Sequence, residues 1–330
     1  MKLKLRHWIW ILLPLLLLCA VAGLCFGSAG LSWSQLLKGL TGNGEESVQM
    51  ILWQLRLPRV VAGMLAGAGL STAGVLLQSV TANDLAGPNI IGINSGAGLA
   101  VIVLLTVFPQ GGHWLSAGAF LGAFGAAMVI LLVSNRLGGS RSLVLLIGIA
   151  VTAVLNAAIS LLSLLDEGIL AQYNYFTVGS LKAVGWRELP VPGMIILVAF
   201  LLSMVISRRL GVLCMGDGVA AALGIRVKGL RVLALGCAAA CASAVVSFAG
   251  LLGFVGLVVP HIAKSLVGQQ PQRLLPVSAL VGAVTVILAD LLGRTLFAPS
   301  ELPVGILMSM IGAPYFLILL CRRKRYADHL

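Results

Sequence analysis

Groups able to do chemistry are sparse in this chain, and most fail the spacing tests of known chemistries. The four histidines, His7, His113, His261 and His329, lie one per region, with no His-Glu-x-x-His step and no Cys/His cluster to converge on a metal. No lysine follows a glycine, so the Gly-Lys step of a phosphate-binding loop is missing and this chain does not bind ATP that way. Cys19, Cys25, Cys214, Cys237, Cys241 and Cys321 show no Cys-x-x-Cys spacing and read as small core residues, neither disulfides nor metal ligands. Asp290 is the one carboxylate well inside an apolar stretch, and a single acid is a poor relay for protons or ions. Intramembrane hydrolases and transferases need more than that, so an enzyme is poorly supported.

Three arginines stand at the ends of apolar stretches. Arg56 and Arg59 flank Pro58, and Arg294 follows Asp290 by four residues, a spacing at which the two can pair within one helix. Arginine at such places commonly anchors a span by reaching for water. Glu301, just before Leu302-Pro303, sits where a carboxylate complements the dipole of the helix that follows.

The elements that must position these groups are membrane spans. Of 330 residues, 59% are hydrophobic and only 10% charged, and the mean hydropathy is +1.07. That excludes a water-soluble fold. Formal charge is absent from 8–37, 60–83, 85–135, 142–165, 189–207, 232–263, 274–289 and 302–321. A helix crosses a bilayer with ~20 such residues. The window 85–135 is too long for one span and breaks at Pro109-Gln110-Gly111-Gly112-His113; 232–263 breaks near Ala249-Gly250, with Pro260 in its second part. Ten helices result, at roughly 8–29, 58–80, 91–108, 114–134, 142–165, 190–207, 230–248, 251–267, 275–297 and 303–321, in one transmembrane domain over 1–330. An outer-membrane barrel would alternate apolar and polar residues in ~10-residue segments, and no such alternation occurs.

Ten is even, so both termini share a side. Sixteen of the 22 basic residues fall on that side, and only Lys38, Arg56, Arg59, Lys182, Arg187 and Arg294 on the other. Basic loops are retained in the cytoplasm, so both termini are expected there. The net charge of +12 is this topology signal rather than a nucleic-acid surface. The basic start and Gly27-Ser28-Ala29 faintly suggest a cleaved secretory signal, but the apolar run exceeds a signal core and the even count needs the helix retained.

Within the spans small residues recur. Gly63, Gly67 and Gly69 in the second helix, and Gly118 and Gly122 in the fourth, let helix backbones approach closely. The fifth helix carries Ser142, Thr152, Asn156, Ser160 and Ser163 within an arc of ~80°. Such a stripe either lines water or bonds a neighbouring helix.

Three stretches go beyond generic packing: LRLPRVVAGMLAGAGLSTAGVLLQSVTANDLAGPNIIGINSGA from Leu55 to Ala97; Gly216-Asp217-Gly218-Val219-Ala220-Ala221-Ala222-Leu223-Gly224; and, between Phe254 and Phe316, FVGLVVPHIAKSLVG, LADLLGR, ELPVG and IGAPYF in order. Together they closely resemble the FecCD family, the permease subunits of binding-protein-dependent ABC importers for ferric siderophores, haem and cobalamin, over nearly the whole chain. The resemblance implies an all-α integral membrane fold of ten helices in the bacterial or archaeal cytoplasmic membrane. The partners it implies are a second copy or sister permease, two ATPase subunits holding ATP and Mg, and an extracytoplasmic solute-binding protein. No cofactor or metal would be bound by this chain, and no nucleic acid.

The resemblance also implies roles. Arg56, Arg59 and Arg294 match arginines that accept glutamates of the binding protein, a bidentate use suited to guanidinium. Asn83, Asp84 and Leu85, with Ser142 opposite, match the cytoplasmic gate, where the plain alternative is a polar turn ended by Gly87-Pro88. The fifth and tenth helices would line the pathway, through Thr152, Asn156, Ser160 and Ser163 and through Met308 and Ser309. Residues 212–228 would be the cytoplasmic coupling segment, its small Gly216, Ala220 and Gly224 fitting a groove on the ATPase. Three departures stand out: Asp84 replaces a frequent proline, Lys264 a frequent arginine, and Gly268-Gln269-Gln270-Pro271-Gln272-Arg273 a Gly-Asp-His-Arg-like turn. The expected function is an ATP-driven importer permease, with ferric siderophore as substrate ahead of cobalamin and haem. A secondary transporter without an ATPase, or a non-transport scaffold, is the rival class.

Overall fold

The computed structural model describes residues 5–27, 32–41, 45–88, 92–108, 114–138, 140–164 and 167–327, and among them every regular element is helical. In order they are α1 (Leu5–Cys25), α2 (Trp33–Leu40), α3 (Glu46–Met50), a π-helical stretch (Ile51–Arg56), α4 (Leu57–Thr81), α5 (Ile93–Val107), α6 (Leu115–Arg136), α7 (Arg141–Ser163), α8 (Glu167–Val178), α9 (Pro190–Leu213), α10 (Asp217–Ala222), α11 (Val227–Ala249), α12 (Val255–Val267), α13 (Pro271–Thr295) and α14 (Val304–Ala327). Seven helical stretches are long and apolar enough to cross a membrane, and Ile93–Val107, Val255–Val267 and Val304–Leu319 are shorter apolar helices.

The predicted spans all fall on helices, with informative differences at their ends. The second begins twelve residues early, because α3, the π-helical stretch and α4 run on as Glu46–Thr81. Arg56, expected ahead of the helix, therefore sits inside it with Arg59, and Pro58, which has no N–H to donate, falls just after the π-helical stretch Ile51–Arg56, where the ladder is already displaced. The eighth begins late: 251–254 are not helical, and Phe254 carries a left-handed φ of 62° before α12 starts. The expected break at 109–113 lies outside the described residues. The two short helices α2 and α8 were not anticipated, although Ser32 and Gln35 form a reciprocal capping box at the start of α2 that the sequence spells out.

Helices α4, α11 and α13 form the centre. The apolar windows of α4 and α11 are each 78% buried and that of α13 67%, whereas that of α7 is only 17% buried and so lies at the periphery. Glycine sets the closest crossings. A Cβ placed on Gly67 would stand 2.1 Å from the Gly282 carbonyl oxygen, and one on Gly96 would stand 2.3 Å from that of Gly122. Backbones touch directly at these two points, the geometry that drives helix association where lipid removes the hydrophobic drive. Cys19, Cys25, Cys237 and Cys241 are buried in the packing.

One end of the bundle is stitched by backbone hydrogen bonds between helix ends and the segments that join them. Ser180 donates to Ala249 O (2.9 Å), Gly305 to Gly179 O (3.1 Å) and Leu302 to Gly293 O (3.0 Å). These bonds fix the 296–303 turn, and with it Glu301, against the ends of α11 and α13.

Candidate functional site

At that end the three arginines and two carboxylates converge. Arg59, at the start of α4, grips Asp290 of α13 in a bidentate fork, Nε to Oδ2 at 2.9 Å and Nη2 to Oδ1 at 2.9 Å, and donates Nη1 to Glu301 Oε2 at 2.9 Å. The Arg59 and Asp290 side chains are 11% and 7% exposed, so this pair is a buried one. Arg294 lies 3.7 Å from Asp290 through Nε, the expected pairing within one helix, but its Nη2 reaches across to the Gly23 carbonyl. Arg56 Nη1 donates to Leu24 O (2.5 Å) and Cys25 O (2.8 Å). Two guanidinium groups thus satisfy carbonyls of the last turn of α1, which no helical N–H can reach and which carry the negative end of the dipole.

Arg56, Arg59 and Arg294, expected to accept glutamates of the binding protein, each turn toward acceptors of this chain. All three are buried or nearly so, and each places at least one guanidinium nitrogen on an acceptor within the chain. The physical reason is desolvation: a buried guanidinium must find acceptors, and Asp290, Glu301 and the end of α1 supply them. Glu301 likewise spends its carboxylate on Arg59 rather than on the start of α14. Burial acts to raise its pKa, but the hydrogen bond and charge of Arg59, helped by Lys182 and Arg294, prevail and hold it below the usual carboxylate range. Lys182 and Arg187, on the neighbouring loop, are exposed and keep the rim of this end electropositive.

The 82–87 loop lies at the opposite end of α4. Ala82 takes a left-handed φ of 48°, Asn83 N donates to Gln78 O (3.3 Å), and Asn83 Oδ1 accepts from Leu85 N (2.9 Å), which makes a compact turn. Asp84 Oδ1 receives a 2.7 Å bond from Lys264 Nζ of α12. Two of the three departures from the family pattern therefore meet as one ion pair. Ser142 is exposed on the first turn of α7, which Ser140 caps by accepting from Leu143 N.

The polar stripe on α7 divides. Asn156 and Ser160 are exposed, whereas the Thr152 hydroxyl is buried with no hydrogen-bond partner and faces Gly92 at the start of α5. The Ser163 hydroxyl turns back onto Ile159 O (2.8 Å). On α14, Ser309 is exposed and bonds Gly305 O (2.8 Å), but Met308 is only 3% exposed and belongs to the core.

The coupling segment forms a helix of six residues, α10, with Gly216 (φ 128°) before it and Gly224 (φ 75°) after it. Open space surrounds both glycines. Ala220, expected to meet the ATPase, is fully buried against the bundle of its own subunit. The outward face is Met215, Val219 and Leu223, at 74%, 46% and 66% exposure. Their spacing of four was legible in the sequence, but the family's small-residue pattern drew attention to the opposite face. Asp217 ties α10 to α11 through a 2.8 Å bridge to the buried Arg231, a pairing across 14 residues that sequence reading missed.

Known proteins agree with this architecture along its length. The Fe(3+)-citrate import system permease protein YfmE of Bacillus subtilis (strain 168) is 36% identical over 313 residues, 94% of each chain. The hemin transport system permease protein HmuU of Yersinia pestis is 36% identical over 326 residues, 97% of this chain and 96% of its own. A solved inward-facing structure of a metal-chelate type ABC transporter superposes with a TM-score of 0.87 at 31% identity, over 96% of this chain and 99% of that one. With residues 15–322 matching the FecCD transport family, this chain belongs to that family.

Proposed function

We propose that this protein is the permease subunit of a binding-protein-dependent ABC importer that moves a ferric siderophore or similar iron chelate into the cytoplasm. ATP hydrolysis belongs to two partner subunits, and a second copy of this chain or a sister permease completes the pathway. The observation that carries this reading is the superposition at TM-score 0.87 on a metal-chelate type ABC transporter, covering almost all of both chains at 31% identity. A haem chelate is the second reading, favoured by the 36% identity to the hemin permease of Yersinia pestis.

In this reading the seven long and three shorter apolar helices make ten crossings, with both termini and the 82–87 loop cytoplasmic. Arg208, Arg209, Arg226, Lys228, Arg231, Lys264 and Arg273 then share the inner side, as retention of basic residues requires. The outer rim carries Lys182 and Arg187 over the Arg56, Arg59 and Arg294 cluster. It presents positive charge to an acidic surface of the binding protein, and the cluster shapes that rim. Asn156 and Ser160 of α7 and Ser309 of α14 face the pathway. The outward face of α10 meets the ATPase. Affinity isolation from native membranes tests the assignment: a nucleotide-binding subunit should co-purify, and its ATPase activity should rise on adding the binding protein loaded with ferric chelate. Isolation of an intact permease without any nucleotide-binding subunit would point to a secondary transporter.

A further inference from the structure

The ammonium of Lys264 holds three pieces of the structure at once. It donates to Asp84 Oδ1 in the 82–87 loop at 2.7 Å and to Gln78 Oε1 at the end of α4 at 2.7 Å, while its own backbone belongs to α12. Gln78 is only 3% exposed, and its Nε2 donates to Leu257 O of α12 at 3.4 Å. One buried amide is thus oriented at both ends, with its oxygen left to face the lysine and no other choice. The frame behind it is rigid. A Cβ on Gly74 would stand 1.8 Å from the Gly256 carbonyl oxygen, so α4 and α12 touch backbone to backbone and cannot slide apart cheaply.

The loop is held less firmly than its frame. Its turn is closed by its own hydrogen bonds, and Ala86 and Gly87 are buried, the latter 3.6 Å from the Leu257 side chain if given a Cβ. The decisive contrast is between two of the ion pairs among the described residues. In the Arg59–Asp290 pair both side chains are nearly dry, at 11% and 7% exposure, and the fork is bidentate. In the Lys264–Asp84 pair the lysine is 14% exposed but the aspartate 38%, and one oxygen is engaged by this contact. The first pair resists opening; the second has water at one partner and opens at small cost.

We propose that Lys264, seated on Gln78 and paired with Asp84, is a latch that holds the 82–87 loop against α12, and that the loop leaves α12 only when this pair opens. The consequence for transport, that opening the latch widens the cytoplasmic end, rests on the importer reading; the latch itself does not.

A reporter inside the loop tests it. In full-length protein in native membranes, with the exposed Cys214 and Cys321 changed to serine, Ala86→Cys places a thiol at a position only 1% exposed. Its labelling by a membrane-impermeant maleimide in inverted vesicles reads loop opening. Asp84→Asn and Lys264→Met should each raise the labelling rate about fivefold, the range of a partly exposed ion pair. Lys264→Arg, which keeps the charge and the donors that Gln78 and Asp84 accept from, should stay within about twofold of the parent. Equal rates in parent, Asp84→Asn and Lys264→Met would overturn the latch. Asp84→Asn is isosteric and half-exposed, so it keeps the test available if Lys264→Met fails to assemble. Iron-chelate uptake by intact cells carrying the same variants separates the two readings: latch-dependent labelling without uptake leaves the latch standing and removes the substrate, while uptake with latch-independent labelling does the reverse.

Discussion

Arg59 shows how a charge can sit near a membrane boundary without facing water. Its fork on Asp290 and its third contact on Glu301 neutralise two carboxylates that burial alone would penalise. Removing one member strands the others: Asp290→Ala should cost about 3–5 kcal/mol, measured by reversible unfolding of the purified subunit, whereas replacing Arg59, Asp290 and Glu301 together with apolar residues of similar volume should cost far less. Glu301 adds an acid-sensitive component. Its pKa lies lower folded than unfolded, so its contribution is complete above the ordinary carboxylate value near 4.3 and is lost as pH falls through the depressed folded value. Thermal stability should therefore decline more steeply between about pH 5 and 3 in the parent than in Glu301→Gln, and parallel profiles would remove Glu301 from the network. Sequence reading found the Asp290–Arg294 pair because four residues is one helical turn. It could not find Arg59–Asp290, whose partners lie 231 residues apart and meet only when α4 packs on α13.

Among the elements, α10 and α7 changed most between sequence and structure. The segment around Gly216 was legible as a short helix outside the spans, because glycines bracket it and it is too short to cross a bilayer. Which face it turns outward depends on its seat against α9 and α11, and that seat was not in the sequence. Ala220→Trp should therefore destabilise the permease itself, by about 1–3 kcal/mol of overpacking. Val219→Glu should instead leave its melting temperature unchanged while an ATPase subunit no longer co-purifies. The reverse pattern would return the contact to the small-residue face. For α7, the 100° arithmetic located a polar stripe but not the contact with Gly92 that draws Thr152 inward. Cysteines at Asn156 and Ser160 should react quickly with a small water-soluble thiol reagent, and one at Thr152 slowly. Uniformly slow labelling at all three would place the pathway on another helix.

At the scale of the whole molecule, hydropathy and charge made the membrane-helical architecture legible, because a bilayer permits few alternatives to helices whose backbones satisfy themselves. Glycine content gave the crossings Gly67–Gly282 and Gly96–Gly122 only in outline, since close approach is a property of a pair of helices and the sequence names one partner at a time. The 82–87 loop was legible as a turn from Asn83 and Gly87-Pro88; its tie to Lys264 was not, since 180 residues separate the two charges. The central claim is that this scaffold, with its partners, uses ATP to carry an iron chelate in one direction. Its most direct test is accumulation of radiolabelled ferric siderophore in proteoliposomes that hold the purified permease–ATPase complex, with the chelate-loaded binding protein supplied to the face carrying Lys182 and Arg187. Accumulation should occur only with ATP on the opposite face and should cease when the binding protein is omitted. Accumulation that proceeds without ATP and follows an ion gradient instead would contradict it.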